Sequence, residues 1–348
     1  MTALTAVVLV GGFGTRLRPL TFETPKQLLP VAGVPLIERV LGHLSRHGVD
    51  QAVLSLGYRP DAFLERYPDR TCAGVHLEFA VEAEPLDTAG AIRFAAGEAG
   101  IAERFLVVNG DILTGLDLSA LVAFHAERHE EAGAEGTIAL TKVEDPSSFG
   151  VVPTDDEGRV LAFVEKPPRD EAPTDLINAG FYVLEASVLD RIPAGRRVNV
   201  ERETFPAMVA DATLFARADG APWLDVGTPE RYLAASLALL PVTGREGSVD
   251  GGVVAPVLLE AGSTVKPGAV VHESVLGEGV TVADGARVEG SVVLAGARVE
   301  ERAVVTDSIV GRDAVIGEGA CVQDVTVIGD GVTVPPGARL SGARVPEG

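Results

Sequence analysis

Residues 7–31 read VVLVGGFGTRLRPLTFETPKQLLPV. The run Val7-Val8-Leu9-Val10 has the pattern of a strand buried on both faces, and Gly11, Gly12 and Gly14 remove side chains where that strand ends. Glycines at such a turn let backbone N–H groups approach phosphate oxygens, and Arg16 and Lys26 place positive charge on the same stretch. The chain has only four lysines, at 26, 142, 166 and 266, so a lysine here is a sparing use of charge. Two other glycine-rich loops do not fit the spacing. A dinucleotide fingerprint needs glycine where Leu17 stands, and a P-loop needs Gly-Lys-Ser/Thr after four residues.

Outward from this loop the same grammar continues. PLIERVLGHLSRHG (35–48) reads as a helix, QAVLSL (51–56) and VHLEFAVE (75–82) as strands, and TAGAIRFAAGEAG (88–100) as a helix. RFLVVNGD (104–111) reads as a buried strand ending in a turn, and LSALVAFHAERHEEA (118–132) as an amphipathic helix with His125 and His129 on solvent-type faces, like His43 and His47 earlier. The pattern predicts an α/β domain with a doubly wound, mixed, mainly parallel, Rossmann-like sheet, whose ligands sit beyond the carboxyl ends of the strands. FGVVPTDDEGRVLAFVEKP (149–167) reads as two strands joined by an Asp-Glu-Gly turn and LINAGFYVLE (176–185) as another, forming a smaller flanking sheet.

After the helix-like PERYLAASLALL (229–240) and the linker PVTGREGSVDGG (241–252) the pattern changes. Aliphatic residues recur at 259, 265, 271, 276, 282, 288, 294, 299, 305, 310, 316, 322, 328, 334 and 340; eleven steps are six residues and three are five. Each unit buries one aliphatic side chain, so coils must stack to make a core, which predicts a parallel β-helix of hexapeptide repeats over 253–348 after a catalytic domain over 1–240.

The net charge of −21 repels nucleic-acid backbones and anionic membranes, so neither is an expected partner. Cys72 and Cys321, far apart and outside any CxxC spacing, indicate neither a disulfide framework nor a zinc site. With no signal-like start, the expected location is the cytoplasm.

GGFGTRLRPLTFETPK resembles the G-G-x-G-T-R-L-x-P-(x)n-P-K signature of sugar-1-phosphate nucleotidylyltransferases, the nucleotide-diphospho-sugar pyrophosphorylases. The resemblance takes in the NGD turn (109–111), VEKP (164–167), NAGFYV (178–183), VERETFP (200–206) and WLDVGTPE (223–230), and is strongest to the mannose-1-phosphate guanylyltransferase branch with its C-terminal left-handed β-helix. It implies attack of a sugar 1-phosphate oxygen on the α-phosphorus of a nucleoside triphosphate, a reaction carried by positioning and charge neutralisation. It also implies roles for named residues. Leu9, Gly11, Gly12, Gly14, Thr15, Glu82 and Gly110 bind the nucleotide. Arg16 and Lys26 clamp the triphosphate, and Asp111 and Asp225 bind Mg²⁺, an ion suited to hard carboxylates with open water positions. Gly150, Glu165, Lys166 and Asn178 meet the sugar phosphate.

Glu82 stands where the family carries Gln for thymine and uracil and Glu for guanine. A carboxylate only accepts, and guanine offers two adjacent donors, so GTP is favoured, with mannose 1-phosphate as the partner substrate. Asp87 departs from the PLGTAG pattern by replacing its first glycine, and Asn199 replaces a more familiar Ser. Either the loop shifts or the substrate is atypical: dTTP with glucose 1-phosphate, a heptose or a cyclitol phosphate are the alternatives. A silent regulatory paralogue would lack Arg16, Lys26 or a magnesium aspartate, and acyl transfer by the tail would need a base where only His272 is available. The tail is expected to be structural and to support a homo-oligomer.

Overall fold

Strong β-branched runs at strand spacing and helices with one apolar stripe give the layered α/β arrangement that the sequence predicts. The computed structural model describes residues 4–240, 244–245, 248–250 and 252–347. Packing divides the chain into two units that do not follow chain order: Met1–Gly12 with Ile37–Leu224, and Phe13–Leu36 with Asp225–Gly348.

The first unit is built on β1 (Leu4–Leu9), β2 (Val49–Leu56), β3 (Thr71–Cys72), β4 (Val75–Val81), β5 (Phe105–Asn109), β6 (Ile112–Thr114), β7 (Gly136–Lys142), β8 (Gly150–Val151), β9 (Val164–Glu165), β10 (Leu176–Leu184) and β11 (Leu214–Ala218). Its main sheet runs β9-β8-β10-β5-β1-β2-β4-β3, with β7 paired to β10 and β11 to β7. Strands β4, β2, β1 and β5 are parallel neighbours, and β10 joins β5 antiparallel through Phe181 on Val108 and Tyr182 on Val107. A further strand, β12 (Trp223–Asp225), pairs with β6. The helices are α1 (Leu36–Arg46), α2 (Pro60–Arg66), α3 (Asp87–Glu98), α4 (Leu118–Ala132) and α5 (Phe205–Ala210).

The smaller flanking sheet is not formed. LINAGFYVL is buried along nearly its whole length and lies inside the main sheet, while 149–167 contributes only the two-residue strands β8 and β9 at its edge. A strand buried on both faces has to take an interior place, and that outweighs its position in the chain. The core beneath it joins Val7, Val107, Ile138, Tyr182, Phe205 and Met208.

In the second unit α6 (Pro229–Ala238) leads to a curled, all-parallel stack of short strands, the architecture expected of the left-handed β-helix. Of the segment read as linker, 244–245 and 248–249 pair as strands with 258–259 and 264–265, and 241–243, 246–247 and 251 lie outside the described residues. Stacking Val271 on Val288, Val305 and Val322 makes most coils 17 residues long, one fewer than three full hexapeptides. Val293, one residue before Leu294, is the inward stack position, between Leu276 and Val310. Ser274, Ser291 and Ser308 form a buried ladder that the apolar repeat does not reveal. The Ser274 and Ser291 hydroxyls each accept from the backbone N–H of the serine one coil on at 3.1 Å, and all three hydroxyls donate to a carbonyl of their own coil. Among the described residues no helix is long and apolar enough to cross a membrane.

Candidate active site

The nucleotide-side residues of the first unit gather at the ends of β1, β2, β4 and β5. Gly11 and Gly57 face one another so closely that a Cβ on Gly57 would stand 3.0 Å from the Gly11 carbonyl oxygen. A Cβ on Gly11 would lie 3.6 Å from Glu82 Oε1, so the Glu82 carboxylate stands directly beside the glycine backbone. Two donors fix that carboxylate: Ser55 Oγ to Oε1 at 2.8 Å and the Leu86 N–H to Oε2 at 2.9 Å. Each oxygen keeps acceptor capacity, because a carboxylate has about four lone-pair sites. Gly110 donates its N–H to Leu9, and a Cβ there would collide with the Leu9 carbonyl and Val10, so that glycine is required by the protein's own backbone. Gly12 faces open space, with nothing within 4 Å of a Cβ position.

Asp87 takes a left-handed conformation, φ 62°, a region that glycine enters freely and that Asp tolerates better than most residues. Its Oδ1 accepts from the Thr88 N–H at 2.8 Å and from Asn199 Nδ2 at 3.0 Å. Asn199 in turn accepts from the N–H groups of Glu201 and Arg202, capping the helical turn Val200–Thr204. The two departures from the family pattern are thus one hydrogen-bonded pair.

The residues expected to meet the sugar phosphate are also brought together. Gly150 is packed under the Phe163 ring, with Glu165 Oε2 3.3 Å from its Cβ position. That oxygen is buried and has no hydrogen-bond partner among the described residues, an acceptor for which a ligand hydroxyl is a fitting donor. Lys166 Nζ lies 3.3 Å from Glu165 Oε1, and the lysine backbone turns at φ 49° to donate to the Phe149 carbonyl. Asn178 holds this side through Nδ2, which donates to Tyr182 Oη at 2.9 Å and Glu201 Oε1 at 2.8 Å. Gly180 packs on Asn109 too tightly for any side chain, and Trp223 donates to the Ala179 carbonyl, so the NGD, NAG and WLD segments interlock. Glu201 is the functional candidate that sequence reading misses. Burial, with Glu165 close by, pushes its carboxyl above the usual range, and its only signal in sequence is a Glu in VERETFP.

Within the second unit the signature loop is built as one piece. Gly14, at φ 61°, sits against Thr21 and Lys26, and Thr21 Oγ1 donates to the Gly14 carbonyl at 2.8 Å. Thr15 and Arg16 stand exposed on a single helical turn, Thr15–Leu17, whereas Lys26 is largely buried. A Cβ on Gly227 would come within 2.8 Å of both Arg16 Nη2 and Asp225 Oδ1, so that glycine makes the space in which the two charged groups meet. Arg231 from α6 forms an ion pair with Asp225.

Asp111 and Asp225 are hard carboxylate donors of the kind Mg²⁺ takes together with phosphate oxygens and water. The bare Gly227 backbone keeps Asp225 Oδ1 clear of a Cβ that would stand 2.8 Å away. Among the described residues no three His, Cys, Asp or Glu side chains gather as a protein-only cage. The histidines differ from expectation. His43 and His125 are buried, and His125 joins Glu185 at 3.0 Å and Thr137 at 2.8 Å under α4.

Comparison with known proteins agrees with both halves of the chain. Residues 5–241 match the nucleotidyl transferase family and residues 253–347 match the GMPPB C-terminal domain. A mannose-1-phosphate guanylyltransferase from Mycobacterium tuberculosis is 43% identical over 272 residues, 75% of this chain and 74% of that protein. A mannose-1-phosphate guanylyltransferase catalytic subunit beta from Dictyostelium discoideum is 37% identical over 75% of this chain and 72% of its own. Among solved structures, HddC from Yersinia pseudotuberculosis complexed with GMP-PN superposes with a TM-score of 0.56 at 28% identity, covering 67% of this chain and 98% of that one. With its glycine-rich signature, its parallel sheet and its β-helix tail, the chain belongs to the nucleotidyl transferase family, in the branch that carries the GMPPB C-terminal domain.

Proposed function

We propose that the protein transfers a guanylyl group from GTP to mannose 1-phosphate, giving GDP-mannose and pyrophosphate. The observation that carries the base assignment is the Glu82 carboxylate, fixed by Ser55 and Leu86 beside Gly11, where it can accept from guanine N1–H and the 2-amino group. The relatives' names support the same pair of substrates.

In this reading Leu9, Gly11, Gly12, Gly14, Thr15 and Gly110 shape the nucleotide site, and Arg16 and Lys26 neutralise the triphosphate. Gly150, Glu165, Lys166 and Asn178 orient the sugar phosphate. Its oxygen forms a bond to the α-phosphorus as the bond to the β-phosphate breaks, and the electron pair leaves on pyrophosphate. Asp111 and Asp225 would hold Mg²⁺, which when bound would supply charge neutralisation on the phosphates, and the support for that ligand pair is the likeness of the NGD and WLD segments to the family's own. The chemistry needs electrostatic positioning and no nucleophilic side chain. The same proposal places the protein in the cytoplasm, consistent with two free cysteines, and has it self-associate through the β-helix.

Pyrophosphate release from GTP and mannose 1-phosphate tests the site. Lys26→Ala and Asp111→Ala are each expected to reduce turnover by at least about 100-fold while the far-ultraviolet circular dichroism is unchanged. Wild-type turnover in either variant would remove that residue from the proposed machinery.

A further inference from the structure

The signature loop and the last coil of the β-helix are tied by one side chain. In the turn around Thr15–Leu17, the carbonyls of Gly14, Thr15, Leu17 and Pro19 accept from backbone N–H groups within the loop itself. The carbonyls of Arg16 and Arg18 accept instead from Arg344 Nη1, at 2.5 and 2.9 Å. Arg344 belongs to the strand Arg344–Val345, which lies in register on Val327–Ile328 of the coil before it. Pro19 packs over the next turn of that coil: a Cβ on Gly329 would be 3.1 Å from Pro19 Cβ and 3.2 Å from Pro346 Cδ. At its other end the loop is held by Tyr232 of α6, whose hydroxyl donates to the Pro30 carbonyl at 2.5 Å.

We propose that Arg344 is a positioning residue for nucleotidyl transfer, bracing the backbone on either side of Leu17 so that the Arg16 guanidinium stays over Gly227 beside Asp225. Hydrogen bonds from a guanidinium to two backbone carbonyls are charge-assisted and geometrically demanding, and they add an outside brace to a turn otherwise held by its own backbone bonds and the buried Leu17. The β-helix then supplies part of the catalytic apparatus, beyond scaffolding or assembly. The inference rests on the nucleotidyl-transfer reading of the loop.

The test compares full-length wild type with Arg344→Met, which keeps the side-chain length and removes every donor, and with Arg344→Lys, whose ammonium can still donate to both carbonyls. Two quantities are read: amide hydrogen exchange across residues 14–22, and kcat with KM for each substrate. Arg344→Met is expected to exchange faster over 14–22 and to lose about tenfold in kcat, with KM for mannose 1-phosphate within about twofold and the melting temperature little changed; loss of loop register well short of unfolding is enough for this. Arg344→Lys should recover most of both losses. Wild-type kcat in Arg344→Met, with or without faster exchange, would overturn the positioning role. A wild-type enzyme inactive on every nucleoside triphosphate and sugar 1-phosphate would instead overturn the reading of the site and the catalytic role with it, while the exchange arm would still report whether the brace exists.

Discussion

At Asp87 the side chain and the backbone answer to different demands. The backbone takes the φ of 62° that the turn requires, and the carboxylate is drawn to Asn199, 112 residues later. Because the conformation already suits glycine, Asp87→Gly is expected to change stability by less than about 1 kcal/mol, whereas Asp87→Ala should lose about 1–2 kcal/mol from a Cβ in the left-handed region with no compensating hydrogen bond. Asn199→Ala should cost about 1 kcal/mol through its cap. Combining Asp87→Gly with Asn199→Ser, the more familiar pair, should show a coupling energy of about 0.5 kcal/mol or more in denaturant titrations; strict additivity would mean the pair is not coupled. Both departures are legible in sequence, but their pairing is not, since no local pattern joins positions so far apart. Arg16 and Lys26 are legible because positive charge beside a glycine loop is unusual in an acidic chain, whereas Glu82 is singled out only by its resemblance to the family's base-contacting position. Glu201 is not legible, because a glutamate at the start of a helical turn is common there for reasons unrelated to ligands.

Helices α1 and α4 carry the clearest misreading by pattern. Both have polar residues on more than one side, and His43 and His125 fall on faces that pack into the protein. Desolvation holds both imidazoles down to a pKa of about 4, against an ordinary value of 6.5, and for His125 the Glu185 carboxylate offsets only part of that burial. The unfolded chain therefore binds protons between pH 6.5 and 4 that the folded protein does not, so stability should fall as pH is lowered through that window. Melting temperatures measured from pH 7.5 to 4.5 should decline across it, and a constant value would contradict the buried neutral assignment. Among strands, the hexapeptide spacing discloses the β-helix and its core. The inward position at Val293 and the serine ladder escape it, because a shortened turn shifts register by one residue and polar stacking leaves no mark on apolar periodicity.

On the scale of the whole molecule, β1, β2, β4, β5 and β10 and helices α1, α3 and α4 of the first unit follow from alternating periodicities, whereas α2, α5, β7 and β11 escape that reading. Their place in the sheet is less legible, as the interior position of β10 illustrates, since burial on two faces is a property of the neighbours. The grouping of residues 13–36 with the β-helix is likewise a tertiary fact, invisible to a reading that follows the chain. The proposed self-association through the tail predicts a solution mass, by light scattering, of at least twice 36.1 kDa; a mass of 36.1 kDa at micromolar concentration would contradict it.

The central claim is that the site joins guanine nucleotide to mannose phosphate, and initial-rate pyrophosphate release with Mg²⁺ tests it most directly. GTP, dTTP, UTP, ATP and CTP would each be paired with mannose 1-phosphate and glucose 1-phosphate. The account predicts the highest kcat/KM for GTP with mannose 1-phosphate, at least about tenfold above the thymidine pair, as the Glu82 acceptor geometry requires. A maximum for dTTP with glucose 1-phosphate would leave the chemistry standing and contradict the claim.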